Sequence, residues 1–214
     1  MKAVRTVFLL FLLCLLPFSL AAAEDGCIPE PIYTPEMPEY HELLGKSLYS
    51  QGSYAQAIES FQNALEIDPE YFVAFHNLGI AYRAIGRLDL ALESYAQVIR
   101  LAPEYAQPYA ACAEIYQFMG NNAEAEKNRN AFVLHYGQYP VPYLGRGDFY
   151  MSLREYDKAV QDYEAAIEKA PTLPEAYMKA AEALLLLGNI EKSEQYFKTA
   201  TELGQRNAPA SNPR

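Results

Sequence analysis

The groups available for chemistry are few. Three histidines and three cysteines occur in 214 residues. Hydrolysis or group transfer needs a nucleophile beside a base, a carboxylate pair, a metal cluster or a phosphate-binding loop. His41, His76 and His135 lie far apart in the chain, and with so little sulfur beside them they give no metal-ligand spacing. The glycines form neither a G-x-G-x-x-G nor a G-x-x-x-x-G-K-[ST] loop. Acidic residues such as Glu164 with Glu168 and Glu191 with Glu194 recur at helical spacing, the pattern of a solvated outer face. The 18 tyrosines could wall a cation-binding cage, yet most recur at regular apolar positions, where packing is their role. The residues describe a protein that is not an enzyme, with no cofactor and no metal.

Charge narrows the partners. The chain carries 17 Lys+Arg against 27 Asp+Glu, a net charge of -10, and has no basic run. Phosphate backbones are bound by clustered Lys and Arg, so nucleic acid is excluded as a partner. At 51% hydrophobic residues the composition is that of a folded protein.

Residues 1–23 have the three-part layout of a secretory signal peptide. Lys2 and Arg5 open it, Val7 to Leu16 is unbroken apolar sequence, and Ala21, Ala22 and Ala23 follow the break at Pro17 and Ser19. The rival reading is an uncleaved anchor, but the run is short of the ~20 apolar residues a membrane span needs. Cleavage before Glu24 leaves a periplasmic or secreted chain with no stable membrane insertion. Cys27 is a poor match to a lipidated N-terminus, because Glu24, Asp25 and Gly26 precede it. An oxidising compartment permits a bridge between Cys27 and Cys112. Two free thiols are the preferred reading, since Cys112 falls on a helix-packing face.

The elements that position everything else come from an internal repeat. SLYSQGSYAQAIESFQNALEIDPEY and IAYRAIGRLDLALESYAQVIRLAPEY align without gaps, taking Gly45 to Gly79, Gly52 to Gly86, Ala57 to Ala91 and Pro69 to Pro103, an offset of 34 residues. Gly147, Ala159 and Pro171 continue the phase two periods on. The pattern resembles the tetratricopeptide repeat, in frames 38–71, 72–105, 106–139, 140–173 and 174–207. The second frame is nearly ideal, with Phe75, Leu78, Gly79, Tyr82, Gly86, Ala91, Tyr95 and Pro103. The first has His41 at an aromatic position, and the fourth departs at Arg146 and Arg154. The third is weakest, with Arg129 for the aromatic, Phe132 for Ala and Gly137 for Pro.

Each unit holds two amphipathic segments, so each is a helix pair that buries its faces only by stacking. The resemblance implies an all-α, right-handed α-solenoid of about five helix-turn-helix repeats spanning 38–207. The Pro-rich leader 24–37 is expected to be extended and the tail 208–214 disordered, with fraying from Leu203 onward. The family's frequent extra capping helix is missing, so the polar second helix of repeat five, with Glu191, Lys192, Ser193, Glu194 and Gln195, is expected to close the stack. Two of the leucines at 184–187 should face inward, leaving the others for a groove or a partner.

In this family the first helix of each repeat lines the concave face through positions 2, 5, 9 and 12. The resemblance assigns to it Tyr49, His76, Ile80, Arg83, Val141, Leu144, Asp148, Met151, Met178 and Leu185 as partner-binding candidates. The C-terminal half of this surface is the more apolar, which suits a helix or extended peptide or, equally, cover by the leader or a neighbouring helix. A sub-family grips C-terminal carboxylates with a basic clamp; only Asn77 matches it, while Glu42, Lys46, Gln107 and Ala111 do not. Function then reads as an exported, non-enzymatic scaffold that binds a peptide or protein segment. The alternative is a periplasmic accessory subunit that holds a small or lipidic ligand for a transporter.

Overall fold

The computed structural model describes residues 33–207. The signal segment, residues 24–32 with Cys27, and the tail 208–214 lie outside the described residues. Within them the chain is entirely helical, an all-α solenoid of ten helices in five pairs: α1 (Pro38–Ser50) with α2 (Tyr54–Ile67), α3 (Phe72–Ala84) with α4 (Leu88–Leu101), α5 (Gln107–Phe118) with α6 (Asn122–Tyr136), α7 (Val141–Ser152) with α8 (Tyr156–Lys169), and α9 (Pro174–Leu186) with α10 (Ile190–Asn207). The last helix continues past Leu203 to Asn207, so the expected fraying there is corrected.

One turn is used five times. Gly52, Gly86, Gly120 and Gly188 take φ values of 76–81°, and Arg154, in the same register, takes 61°. In each case the next residue's N–H reaches back to close the first helix, as in Ser53 to the Leu48 carbonyl and Glu155 to that of Tyr150, both 2.9 Å. Left-handed backbone favours glycine, so Arg154 carries strain that the other four turns do not.

Within a pair, a glycine on the first helix admits a ring from the second. A Cβ on Gly79 would meet Tyr95 Cε1 at 2.5 Å, and one on Gly147 would meet Tyr163 Cε1 at 2.5 Å. Gly45 and Phe61 make the same fit. These three rings are each 1% exposed. They then reach the next pair. Phe61 shares a core with Leu78 and Ala81, Tyr95 with Cys112 and Ile115, and Tyr163 with Ala180 and Ala183.

Repeat three solves the same contact differently. Ala113 stands where the glycine would be, and Arg129 replaces the ring. Its guanidinium lies 5.2 Å from the centroid of Phe149 in the next pair and donates to the Gly145 carbonyl at 2.9 Å. Repeat four also departs. Arg146 takes the slot that Leu78 fills in repeat two, and it turns to Asp162 with bonds of 2.6 and 2.8 Å. Cys112 is a buried free thiol, and burial pushes it up to about 12.

Candidate functional site

The first helices of the second to fifth pairs, α3, α5, α7 and α9, are tied to one another by side chains. Arg83 on α3 meets Glu114 on α5 at 2.8 Å. Gln117 on α5 donates to Ser152 on α7 at 3.2 Å. Lys179 on α9 meets Asp148 on α7 at 2.9 Å. These rungs mark a shared face made by first helices. The Arg83–Glu114 pair is largely exposed and adds little to stability; its use is to present two charges side by side.

At the N-terminal part of this face a cavity of about 230 Å³ lies between α1 and α3, lined by Lys46, Tyr49, Phe61, Asn77 and Ile80. Tyr49 and Ile80 are half-buried in its wall. Lys46 also pairs with Glu42 at 2.9 Å. Burial pushes the Glu42 carboxyl up, but hydrogen bonds from Lys46 and Tyr71 and the Lys46 charge outweigh it and hold it below its ordinary value. His76 is less available than its position suggested. Its ring packs edge-on to Tyr105 at 5.3 Å and tilted to Tyr95 at 5.9 Å. Burial, with Lys46 nearby, pushes its pKa down, so the imidazole is neutral packing material.

The middle of the face holds features that position alone did not reveal. An open cleft of about 500 Å³ lies at its rim, lined by Arg83, Gly86, Leu88, Glu114, Ile115 and Phe118. Phe118 is 83% exposed, with Met119 and Ile85 beside the same turns also exposed. Behind the cleft, Arg129 reaches through from α6 and donates to Gln117 Oε1 at 2.6 Å. Burial pushes its pKa down, opposed by Glu114 and Asp148. The departure of Arg129 from the aromatic pattern was the available signal. For Phe118 there was none, because exposed ends of helices carry no periodic constraint.

The C-terminal part is only partly as expected. Val141, Met178 and Leu185 are exposed apolar residues. Leu144 is not: it is 8% exposed and sits in a core with Ala125, Phe149 and Tyr150, so its assignment to the groove is corrected. With Arg146 turned to Asp162, Leu144 is one of the apolar side chains that α7 commits to that core. Met151 is half-buried against the same core. Asp148 is exposed but already engaged, accepting from Tyr163 at 2.8 Å as well as from Lys179. The fifth pair is also less polar than expected, since Ile190 and Phe197 are 59% and 56% exposed.

Comparison with known proteins agrees with this architecture. Three family profiles match: TPR repeat over residues 45–86, tetratricopeptide repeat over 72–105, and tetratricopeptide repeat over 150–212. None of the three reaches into residues 106–149, where Ala113, Arg129 and Arg146 break the pattern. Among solved structures, the MamA protein is 24% identical with a TM-score of 0.71, covering 85% of this chain and 99% of its own. MamA from Desulfovibrio magneticus is 13% identical at a TM-score of 0.68, covering 80% of this chain and 97% of its own. The pilF protein of Pseudomonas aeruginosa is 18% identical at 0.64, covering 78% and 76% respectively. At these identities the likeness establishes the fold.

Proposed function

The chain is a tetratricopeptide-repeat protein, and from that premise we propose that it is an exported, non-enzymatic scaffold whose first-helix face holds a peptide or protein segment. Repeat proteins of this fold bind proteins or peptides. The observation that carries the reading is the cleft between α3 and α5. Leu88, Ile115 and Phe118 give it an apolar floor, while Arg83 and Glu114 put opposite charges at its lip. Such a site takes one apolar side chain of an extended segment, and the charge pair meets polar groups on either side of it. Ile80 and Tyr49 on one flank and Val141 and Met178 on the other extend the apolar contact along the first helices α1, α3, α7 and α9.

Export rests on the signal-like residues 1–23. No helix among the described residues is long and apolar enough to cross a membrane. N-terminal sequencing is expected to begin at or near Glu24, and an intact Met1 in the membrane fraction overturns export. Binding is tested by capture. Phe118→Ser and Met178→Ser change exposed residues, so the melting temperature should stay close to wild type. Each should lose a captured polypeptide that wild type retains, because apolar anchors carry most interface energy. Retention of every partner by the double variant overturns the assignment of this face.

A further inference from the structure

The fifth helix pair leaves exposed the ring position that three of the earlier pairs bury against their successor. At three junctions the ring from the second helix enters a core with two residues of the following first helix, spaced 17 and 20 residues on: Phe61 with Leu78 and Ala81, Tyr95 with Cys112 and Ile115, Tyr163 with Ala180 and Ala183. At the fourth, Arg129 stacks over Phe149 in the same register. Phe197 is the fifth member of this series, and it is 56% exposed. Leu185 and Ile190, 58% and 59% exposed, flank it on α9 and α10. Their counterparts at the second pair are Arg83 and Leu88, and Leu88 packs against the core shared with repeat three. No described helix follows α10.

The opposite half of this interface is exposed on α1. Leu44 is the residue of repeat one that corresponds to Leu78, Cys112 and Ala180, and Ser47 corresponds to Ala81, Ile115 and Ala183. Those six residues are buried in their cores; Leu44 is 41% exposed and its neighbour Leu43 is 57% exposed. Ser47 is small enough to admit a ring, as Ala81 does for Phe61. One chain therefore carries both halves of a junction that it already makes internally.

We infer that a second copy of this chain docks head to tail, its α1 packing on α9 and α10 and continuing the stack of repeats across the molecular boundary. Continuity favours a second copy over another partner: Phe197 and Leu44 match, in type and register, the ring and the apolar residue that meet at the intramolecular junctions. The interface is heterologous, so each copy uses two different faces and assembly extends beyond a pair or closes into a ring. Leu185 lies on the first-helix face as well, but the junction uses neither Phe118 nor Met178 nor the cleft, so failure here leaves the proposed peptide site standing.

Sedimentation velocity on the chain in its naturally processed form tests this. Wild type should rise in average mass at least twofold as concentration is raised. Phe197→Glu and Leu44→Glu should each sediment as one chain, because a buried unpaired carboxylate blocks the junction. Mixed in equal amounts, they should give two-chain particles and nothing larger, since the intact α1 face of one meets the intact α10 face of the other. Circular dichroism should show both variants as helical as wild type. Should Phe197→Glu lose helicity, Ile190→Glu on the same face replaces it. A wild type that stays one chain at every concentration overturns the inference. So does a single variant that associates like wild type, or a mixture that stays at one-chain mass.

Discussion

Gly79→Ala is the sharpest probe of how the pairs are built. The added methyl would sit 2.5 Å from Tyr95 Cε1 and 2.7 Å from Cζ. Non-bonded carbons rest at about 3.5–4.0 Å, so the ring or a helix must retreat by about 1 Å. Retreat is blocked, because Tyr95 is 1% exposed and its far side packs on Cys112 and Ile115. Overpacking of this kind costs about 1–3 kcal/mol. Alanine in place of glycine inside a helix returns about 1 kcal/mol. With the ring closed on both sides, the upper half of the cost applies, and the net is a destabilisation of about 1–2 kcal/mol. In a Tyr95→Ala background every clashing ring atom is gone and only the helical gain is left. There the same substitution should be neutral or stabilising, by up to about 1 kcal/mol. Urea denaturation of the four proteins gives the coupling between the two sites. An equal cost of Gly79→Ala in both backgrounds, or no cost in wild type, refutes the fit of ring into glycine.

Two further outcomes follow from local features. Arg154→Gly relieves a left-handed backbone costing about 1–2 kcal/mol and gives back about 0.5–1 kcal/mol in chain entropy, so a stabilisation of about 0.5–1 kcal/mol is expected in the denaturation midpoint. Glu42 has a lowered pKa in the folded chain, so its contribution to stability is complete above its ordinary value of 4.5 and is lost as pH falls through the folded value. Glu42→Gln should therefore flatten the acid side of the stability–pH curve below about pH 4.5 and reduce stability above it, measured by thermal melts across pH.

The fold was legible because its determinants repeat. Gly45, Gly79 and Gly147 pair with Phe61, Tyr95 and Tyr163 at a fixed separation of 16 residues, and all three rings are buried. Repeat three was legible as a departure but not as a solution. Sequence showed that Arg129 was not aromatic; only the geometry shows that it stacks over Phe149 and reaches Gln117. Leu144 is buried where its place in the repeat predicts exposure, because position within a repeat does not by itself fix exposure. The arginine at 146 changes what α7 offers its neighbours, and a positional rule carries no information about such a compensation. The exposed ring of Phe118 escaped for the opposite reason, since a solvent-facing helix end has no periodic partner to announce it.

The first-helix face, and not the outer surface, is proposed to hold a polypeptide. A photo-activated cross-linking side chain placed at Ile80, Phe118 or Met178, in the cells that make the protein, tests it most directly. Glu59 and Gln161, exposed on the second helices, serve as the outer-surface sites. Adducts of one polypeptide are expected from the three inner sites, abolished by the Arg83→Ala and Leu88→Ser changes in the cleft, and none from Glu59 or Gln161. Adducts of equal yield from the outer sites, or an inner-face adduct that is a lipid and not a polypeptide, would contradict it.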